Sequence, residues 1–452
     1  MPASRLLAFT LAAMTIASVA FGAETGNAGR SAADVINASA SKGAEADSLF
    51  AGSWNGKLQV GQTELTLVFN FTAEPDGGLK VTFDSPDQGA EGIEAEIVEA
   101  SPLALKVNIP SLLASYSGML YRDLIIGTFT QAGKSFPLTL EKGASEPARP
   151  QTPEPPYPYA TEDVIFENEE AGAVLAGTLC WPSGNSGSLS TGADESAEAP
   201  VAVVLVSGSG QQNRDEEIFG HKPFLVIADF LARHGIASLR YDDRNFGESH
   251  GGDVENATTA DFMEDAMAAV EFLRNSGCFS RIGVIGHSEG ACIAFMLGSR
   301  GAADFVVSLA GLGVKGDVAL AAQSNRIMEL SGVPGTMSVA EYRSRVRAQG
   351  QPWLNWFIDY DPSSDIASTH CPVMAVCGDK DSQVISSLNL PAIRSLLPDN
   401  ADNLVKEYPG LNHLFQHCGT GAPTEYRSIE ETISPELLED IVAWTKAVIT
   451  EE

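Results

Sequence analysis

The chain has 452 residues, with 44% hydrophobic and 19% charged side chains, which is ordinary for a globular protein and enough for two domains with cores of their own. It carries 28 Lys and Arg residues against 59 Asp and Glu residues, so its formal net charge at pH 7 is −31. A chain this acidic is repelled by nucleic acid and by anionic membranes, and we therefore expect neither as a partner.

The N-terminal residues 1–22 predict a secretory signal peptide. Arg5 provides a short basic start, residues 6–20 are apolar, and the small residues at 18–22 fit a cleavage site. The alternative is a membrane anchor, but this apolar stretch is shorter than the ~20 residues that a spanning helix needs. We therefore expect an exported protein, periplasmic or secreted, without stable membrane insertion. Residues 23–49 are rich in small and polar residues and are expected to form a linker.

Residues 50–142 predict a small antiparallel β-domain. Apolar and polar residues alternate over segments such as 53–60 and 64–72, as they do in half-buried strands, and Asp76-Gly77-Gly78 predicts a hairpin turn. Further short runs bring the total to roughly seven or more strands. No nucleophile or metal cluster stands out, so the domain serves either for packing or for binding cell-wall or glycan material. The proline-dense residues 143–160 then predict an extended linker.

Residues 161–452 predict an α/β domain. Strand-like apolar runs alternate with helical patterns, beginning with an antiparallel pair near 161–180 and a fully apolar strand at 201–206. Continuous apolar strands separated by helices indicate a mostly parallel sheet that helices cover on both faces. Residues 313–370 interrupt this alternation with helical, aromatic-bearing sequence, which predicts a helical cap over the active site.

The pentapeptide Gly286-His287-Ser288-Glu289-Gly290 reads G-x-S-x-G and is the strongest indication of chemistry in the chain. An apolar strand pattern precedes it at 281–285, and an apolar helical pattern follows it at 291–297. A strand, a sharp turn and a helix in this order form a nucleophile elbow, which exposes the serine hydroxyl above the sheet. The alternative is a glycine-rich turn with an idle serine. Suitable partners for Ser288 further along the chain favour the catalytic interpretation.

A serine hydroxyl needs a base, usually a histidine that a carboxylate orients. Asp381 directly follows a buried strand, and His413 directly follows the next strand. Both are expected at the carboxyl edge of the sheet, beside the elbow, and Ser288, Asp381 and His413 occur in the order of the α/β-hydrolase triad. Asp379 is the rival acid, whose other role would be to shape the turn, and His417 is the rival base.

The oxyanion of an acyl-transfer reaction needs fixed main-chain N–H donors. The amide of Glu289, directly after the nucleophile, supplies one donor. The Ser-Gly-Ser-Gly loop at 207–210 follows the first buried parallel strand, and we predict Ser209 as the second donor, with Gly210 as its alternative. The six cysteines match no zinc spacing, and this chemistry needs no metal and no organic cofactor.

Residues 161–450 resemble the serine-esterase branch of the α/β-hydrolase superfamily, and more narrowly a group of bacterial carboxylesterases. The shared motifs are the Ser-Gly-Ser-Gly loop leading into Asn213-Arg-Asp-Glu216, the Arg240-Tyr-Asp-Asp-Arg244 segment, the elbow, Tyr360-Asp-Pro362 and Asn412-His-Leu-Phe-Gln416. Several members have an N-terminal β-domain similar to residues 50–142. The chain departs from the pattern at Gln211, where proline is expected, and at Asn245-Phe246, where a glycine-containing pair is usual. The resemblance implies carboxylesterase activity, often on short acyl esters.

The sequence therefore predicts an exported serine hydrolase that cleaves small-molecule carboxylic esters of short to medium acyl chain. A peptidase or amidase on the same fold is the nearest alternative, because the triad serves both kinds of leaving group. Relatives of the prolyl peptidases usually carry a large N-terminal propeller, which residues 50–142 are too short to form. A catalytically silent binding module is the alternative from a different class, and an intact triad argues against it.

Overall fold

The computed structural model describes residues 49–60, 63–73, 78–88, 90–101, 104–143, 149–183, 189 and 199–450. The predicted signal peptide at 1–22 and all but the last residue of the predicted linker at 23–49 lie outside the described residues. The chain divides into two compact units, Met1–Glu146 and Pro147–Glu452, and each has its own cluster of buried apolar side chains. The helices of the described residues include none that is long and apolar enough to cross a bilayer.

The first unit is a closed antiparallel barrel, formed by eight strands within the described residues. The strands are β1 (Gly52–Val60), β2 (Thr63–Ala73), β3 (Leu79–Ser85), β4 (Ala90–Ser101), β5 (Ala104–Ile109), β6 (Ala114–Tyr121), β7 (Leu124–Gln131) and β8 (Lys134–Lys142). Each strand pairs with the next, and β1 also pairs with β8 through Trp54 and Lys142. The alternating pattern turns one face of every strand inward, where Phe69, Phe83 and Tyr116 are buried.

The second unit is built on a sheet of nine strands, counted over the described residues. These are β9 (Thr161–Asn168), β10 (Ala173–Cys180), β11 (Val201–Val206), β12 (Ile236–Tyr241), β13 (His250–Gly251), β14 (Ile282–His287), β15 (Val306–Leu309), β16 (Val373–Gly378) and β17 (Leu404–Tyr408). Their spatial order is β13, β10, β12, β11, β14, β15, β16 and β17, with β9 also paired to β10. Six neighbouring strands are parallel to one another, namely β12, β11, β14, β15, β16 and β17. Strand β10, in contrast, is antiparallel to each of its neighbours.

Helices cover the sheet of the second unit. They are α1 (Pro223–Arg233), α2 (Thr259–Ser276), α3 (Glu289–Ser299), α4 (Gly316–Leu330), α5 (Val339–Gln349), α6 (Pro352–Phe357), α7 (Ser363–Ser368), α8 (Ser386–Leu396) and α9 (Pro435–Thr450). Every residue of β11, β14 and β16 is buried, as expected of central parallel strands that are covered on both faces. Helices α4 to α7 all lie between β15 and β16. The predicted fold class, an α/β-hydrolase sheet preceded by an all-β domain, is confirmed.

The proline-dense segment is hydrogen-bonded to the rest of the second unit through Arg149 and Gln151. The guanidinium of Arg149 donates to the carbonyl oxygens of Phe219, Arg427 and Ile429, each at 2.8 Å. The side chain of Gln151 donates to the Ile433 carbonyl at 2.7 Å and accepts from the amide of the same residue. Residues from Arg149 onward therefore form part of the second unit, although their composition predicts an extended linker over residues 143–160.

Candidate active site

The chain reverses sharply between β14 and α3, and Ser288 occupies the turn. Its φ of 55° and ψ of −113° lie outside the regions that a side chain favours, which is the strain expected at a nucleophile elbow. A Cβ atom on Gly286 would overlap the main chain of Gly290, and one on Gly290 would overlap the Val206 carbonyl. Glycine is therefore required on both sides of the serine. The amide of Ser288 donates to the Leu309 carbonyl at 2.8 Å, which ties the turn to β15.

A buried carboxylate–imidazole pair lies at the carboxyl ends of β16 and β17. Nδ1 of His413 is 2.8 Å from Oδ2 of Asp381, and each residue is only 4% exposed. The other carboxylate oxygen of Asp381 accepts from the amides of Gln383 and Val384, both at 2.8 Å. These bonds fix the carboxylate and, through it, the ring of His413. The contact through Nδ1 leaves Nε2 as the nitrogen that can accept a proton.

The rival residues have other partners. Nδ1 of His417 is 2.9 Å from the carboxylate of Glu431, and 61% of the His417 side chain is exposed. Oδ1 of Asp379 accepts from the amide of Gly410 at 2.6 Å, in the loop that leads to His413. The structure therefore brings Asp381, and not Asp379, to His413, and Asp379 shapes the neighbouring turn.

The Ser-Gly-Ser-Gly loop lies against the elbow. A Cβ atom placed on Gly208 would be 3.3 Å from the Cβ of Ser288. The amide of Gly208 donates to Oε1 of Glu216 at 2.7 Å, so this N–H is already engaged. Ser209 and Gly210 follow directly, and Gly210 has a φ of 99°, which a residue with a side chain rarely adopts.

Glu216 and His287 form a second buried pair that the sequence analysis did not assign to the site. Nδ1 of His287 is 2.9 Å from Oε1 of Glu216, and Nε2 is 3.0 Å from the carbonyl oxygen of His413. Burial lowers the pKa of His287, but the Glu216 carboxylate and the hydrogen bonds raise it by more, so the net pKa lies above its ordinary value. Two features of the sequence could have pointed to this pair. Glu216 ends the Asn213-Arg-Asp-Glu216 motif, and His287 directly precedes the serine of the pentapeptide.

The side chain of Glu289 connects the elbow to two further segments. Its Oε1 accepts from the hydroxyl of Thr259 at 2.6 Å and from the indole N–H of Trp353 at 2.7 Å. Trp353 lies on α6, within the segment between β15 and β16. Burial raises the pKa of the Glu289 carboxyl, against the effect of hydrogen bonds from Thr259, Trp353 and Ser209. The residue after the nucleophile therefore holds α6 through its side chain.

Asp243 and Glu289 line a small cavity beneath the Ser-Gly-Ser-Gly loop. The carboxylate of Asp243 accepts from the hydroxyl of Ser207 at 3.1 Å and from the amide of Gln212 at 2.7 Å. Burial raises the pKa of Asp243 to about 8. Across the part of the chain that the structure describes, no group of three or more His, Cys, Asp or Glu side chains is arranged to hold a metal ion.

Part of the chain is similar to known hydrolases. A family model described as serine aminopeptidase, S33, matches residues 222–332. Esterase EstD of Thermotoga maritima is 30% identical over 259 residues, which cover 54% of this chain and 61% of EstD. The chain thus spans less than two thirds of this curated relative.

Two solved structures of esterases are also similar to this chain. Est1E of Butyrivibrio proteoclasticus, determined with bound ferulic acid, has 16% identity and a TM-score of 0.43, over 64% of this chain and all of Est1E. An esterase of Pyrococcus furiosus has 18% identity and a TM-score of 0.42, over 64% of this chain and 90% of its own.

Proposed function

We propose that the protein is a serine hydrolase that cleaves carboxylic esters of short to medium acyl chain. The observation that carries this proposal is the buried hydrogen bond between Asp381 and His413, at the sheet edge where the elbow presents Ser288. A buried carboxylate that orients an imidazole beside a strained serine is the arrangement that activates a hydroxyl for acyl transfer.

The reaction follows from the roles of these groups. The Ser288 oxygen attacks the ester carbonyl, while Nε2 of His413 takes the hydroxyl proton and the Asp381 carboxylate stabilises the imidazolium. His413 then returns the proton to the departing alcohol, which leaves an acyl-enzyme on Ser288. Water, deprotonated by His413, attacks the acyl-enzyme and releases the carboxylic acid and the free serine.

Main-chain amides stabilise the oxyanion in both steps. The amide of Glu289 is one donor. Because the amide of Gly208 is engaged by Glu216, the second donor on the loop is Ser209, with Gly210 as the alternative. The reaction needs no metal and no organic cofactor, since side chains and amides supply every proton transfer and every charge contact.

Two further features support the substrate class and the location. The similarity to Esterase EstD, over 61% of that protein, supports an ester as the substrate. The signal-peptide pattern at 1–22 supports export to the periplasm or the medium, where the partner would be a small-molecule ester.

A peptidase is the second candidate, because the matching family model is described as a serine aminopeptidase.

Labelling with a fluorophosphonate tests the proposal. The intact protein should react at one site per chain, and Ser288→Ala should abolish the reaction while the folded structure persists. Turnover of p-nitrophenyl esters of increasing chain length, beside aminoacyl p-nitroanilides, should favour short and medium esters. Faster cleavage of the anilides would support the peptidase instead, and a folded protein that neither labels nor turns over would contradict both.

A further inference from the structure

Two histidine–carboxylate pairs lie side by side in the site, and the reaction uses only one of them. The rings of His287 and His413 have centroids 4.8 Å apart, and each ring has a carboxylate on its Nδ1 side. Both residues of the second pair, Glu216 and His287, are at least nine-tenths buried.

Each ring nitrogen of His287 faces an oxygen acceptor. Nδ1 faces a carboxylate oxygen of Glu216 at 2.9 Å, and Nε2 faces the carbonyl oxygen of His413 at 3.0 Å. Both oxygens are acceptors, so a ring with a single N–H would place a nitrogen lone pair against one of them. Both contacts are hydrogen bonds when the pair carries one further proton, and this proton resides on the imidazole, the stronger base of the two.

The pair joins three segments of the site. Oε1 of Glu216 accepts from the amide of Gly208 as well as from His287, which connects the Ser-Gly-Ser-Gly loop to the elbow. His287 directly precedes Ser288, and its other nitrogen holds the main chain of His413. The ring of His287 and the carboxylate of Glu216 thus link the Ser-Gly-Ser-Gly loop, which we call the oxyanion loop, to the elbow and to the main chain of His413.

We propose that His287 acts as a protonated positioning residue, and that its ion pair with Glu216 holds the oxyanion loop and the main chain of His413 in their reactive arrangement. This inference rests on the proposed function, because it concerns the same site. The groups that face His287 are Glu216, the ring and carbonyl of His413 and the ring of Phe415, with the negative charge of Asp381 behind His413. The Glu216 carboxylate balances the charge of His287, so His413 does not face an uncompensated cation.

The inference predicts a specific dependence on pH. Catalysis needs the protonated form of His287, so the rate should fall at alkaline pH as His287 loses its proton. Because the neighbouring carboxylate raises the pKa of His287, the wild-type enzyme keeps this proton above the ordinary range of histidine. Glu216→Gln preserves an oxygen for the amide of Gly208 but removes the charge, so the alkaline limb should move to lower pH.

The test measures the rate of fluorophosphonate labelling of the full chain from about pH 6 to about pH 10, the range in which a shifted histidine titrates. At the alkaline end Glu216→Gln should react about 10- to 100-fold more slowly than wild type, the loss expected of a misplaced site, with a much smaller loss near pH 6. The matched control is Glu431→Gln, which removes the carboxylate of the exposed His417 pair and should leave the profile unchanged.

A second measurement does not depend on activity or on the stability of a variant. The 15N chemical shifts of the His287 ring in the wild-type protein should be those of an imidazolium at neutral pH. Neutral-ring shifts, or a Glu216→Gln profile that coincides with wild type, would overturn the inference. If the wild-type protein fails to label at all, the proposed function falls, whereas the ring shifts still decide the state of His287.

Discussion

Asp243 is a carboxyl group whose pKa the fold raises far above the ordinary value. Burial raises its pKa to about 8, and the hydrogen bonds from Gln212 and Ser207 only partly oppose this effect. A carboxyl whose folded pKa lies above its unfolded value binds more protons in the folded protein. Its contribution to stability is therefore lost as the pH rises from its ordinary pKa toward 8.

Replacing Asp243 with asparagine should remove this dependence. Asparagine keeps an oxygen for the amide of Gln212 and cannot ionise. Between about pH 4 and about pH 8 the stability of Asp243→Asn relative to wild type should rise by at most about 1.4 kcal/mol per pH unit. Urea unfolding of both proteins at several pH values measures this difference. The contribution of the barrel to the free energy of unfolding cancels, because wild type and Asp243→Asn have the same barrel. A difference that stays constant with pH would show that Asp243 titrates as an ordinary carboxyl.

At the scale of elements, the short helix α6 is held to the elbow by the bond from Trp353 to Glu289. Trp353→Phe keeps an aromatic ring and deletes the N–H, which should cost about 1–3 kcal/mol because a buried carboxyl loses a donor. Hydrogen exchange of the main-chain amides of residues 353–357 should become faster. Trp356→Phe, on the same helix, is the matched control and should change neither property. Unchanged exchange in Trp353→Phe would exclude this bond as the anchor of α6.

The elements that the sequence predicts best are those whose pattern is local. The apolar runs of β11 and β14 and the glycines around Ser288 follow from burial and from one tight turn, and both can be read within a short window. Closure of the barrel could not be read in this way, because it depends on the register between β1 and β8 at opposite ends of the unit. The Glu216–His287 pair could not be read in this way either, because no local pattern joins the two residues and, unlike the triad, the pair has no characteristic order along the chain.

Gln211 and Asn245, where the sequence departs from the carboxylesterase pattern that it resembles, lie next to each other in the fold. The side chain of Gln211 donates to the carbonyl oxygens of Arg244 and Asn245, at 3.3 and 3.4 Å. Asn245 has a φ of 58°, a conformation that glycine adopts most easily. Gln211 and Asn245 are therefore part of one local arrangement, although they lie far apart in the sequence. In it the side-chain amide of Gln211 supports the strained turn at Asn245.

At the scale of the whole molecule, two separate cores predict two units that unfold independently. A shortened chain that starts at Pro147 should label with the fluorophosphonate within about twofold of the full chain, because Ser288, Asp381 and His413 all belong to the second unit and independent parts contribute additively. Loss of labelling in this folded chain would show that the barrel contributes to the site.

A chain that starts at Thr161 should be less stable than one that starts at Pro147. It lacks Arg149 and Gln151, whose hydrogen bonds hold the main chain near residues 427–433. Each lost bond should cost about 1 kcal/mol, so the temperature of unfolding should fall measurably. Equal unfolding temperatures would mean that the second unit begins at β9.

The first unit cannot extend its sheet, because each of its eight described strands already has a neighbour on both sides. Strand addition, in which another chain pairs with an exposed edge, is therefore closed to it. Among the described residues, outward side chains remain available for binding: Met119 and Ile126, which face each other across β6 and β7, are both more than half exposed. Over the described strands, the same closure leaves little free edge through which the sheets of neighbouring molecules can aggregate.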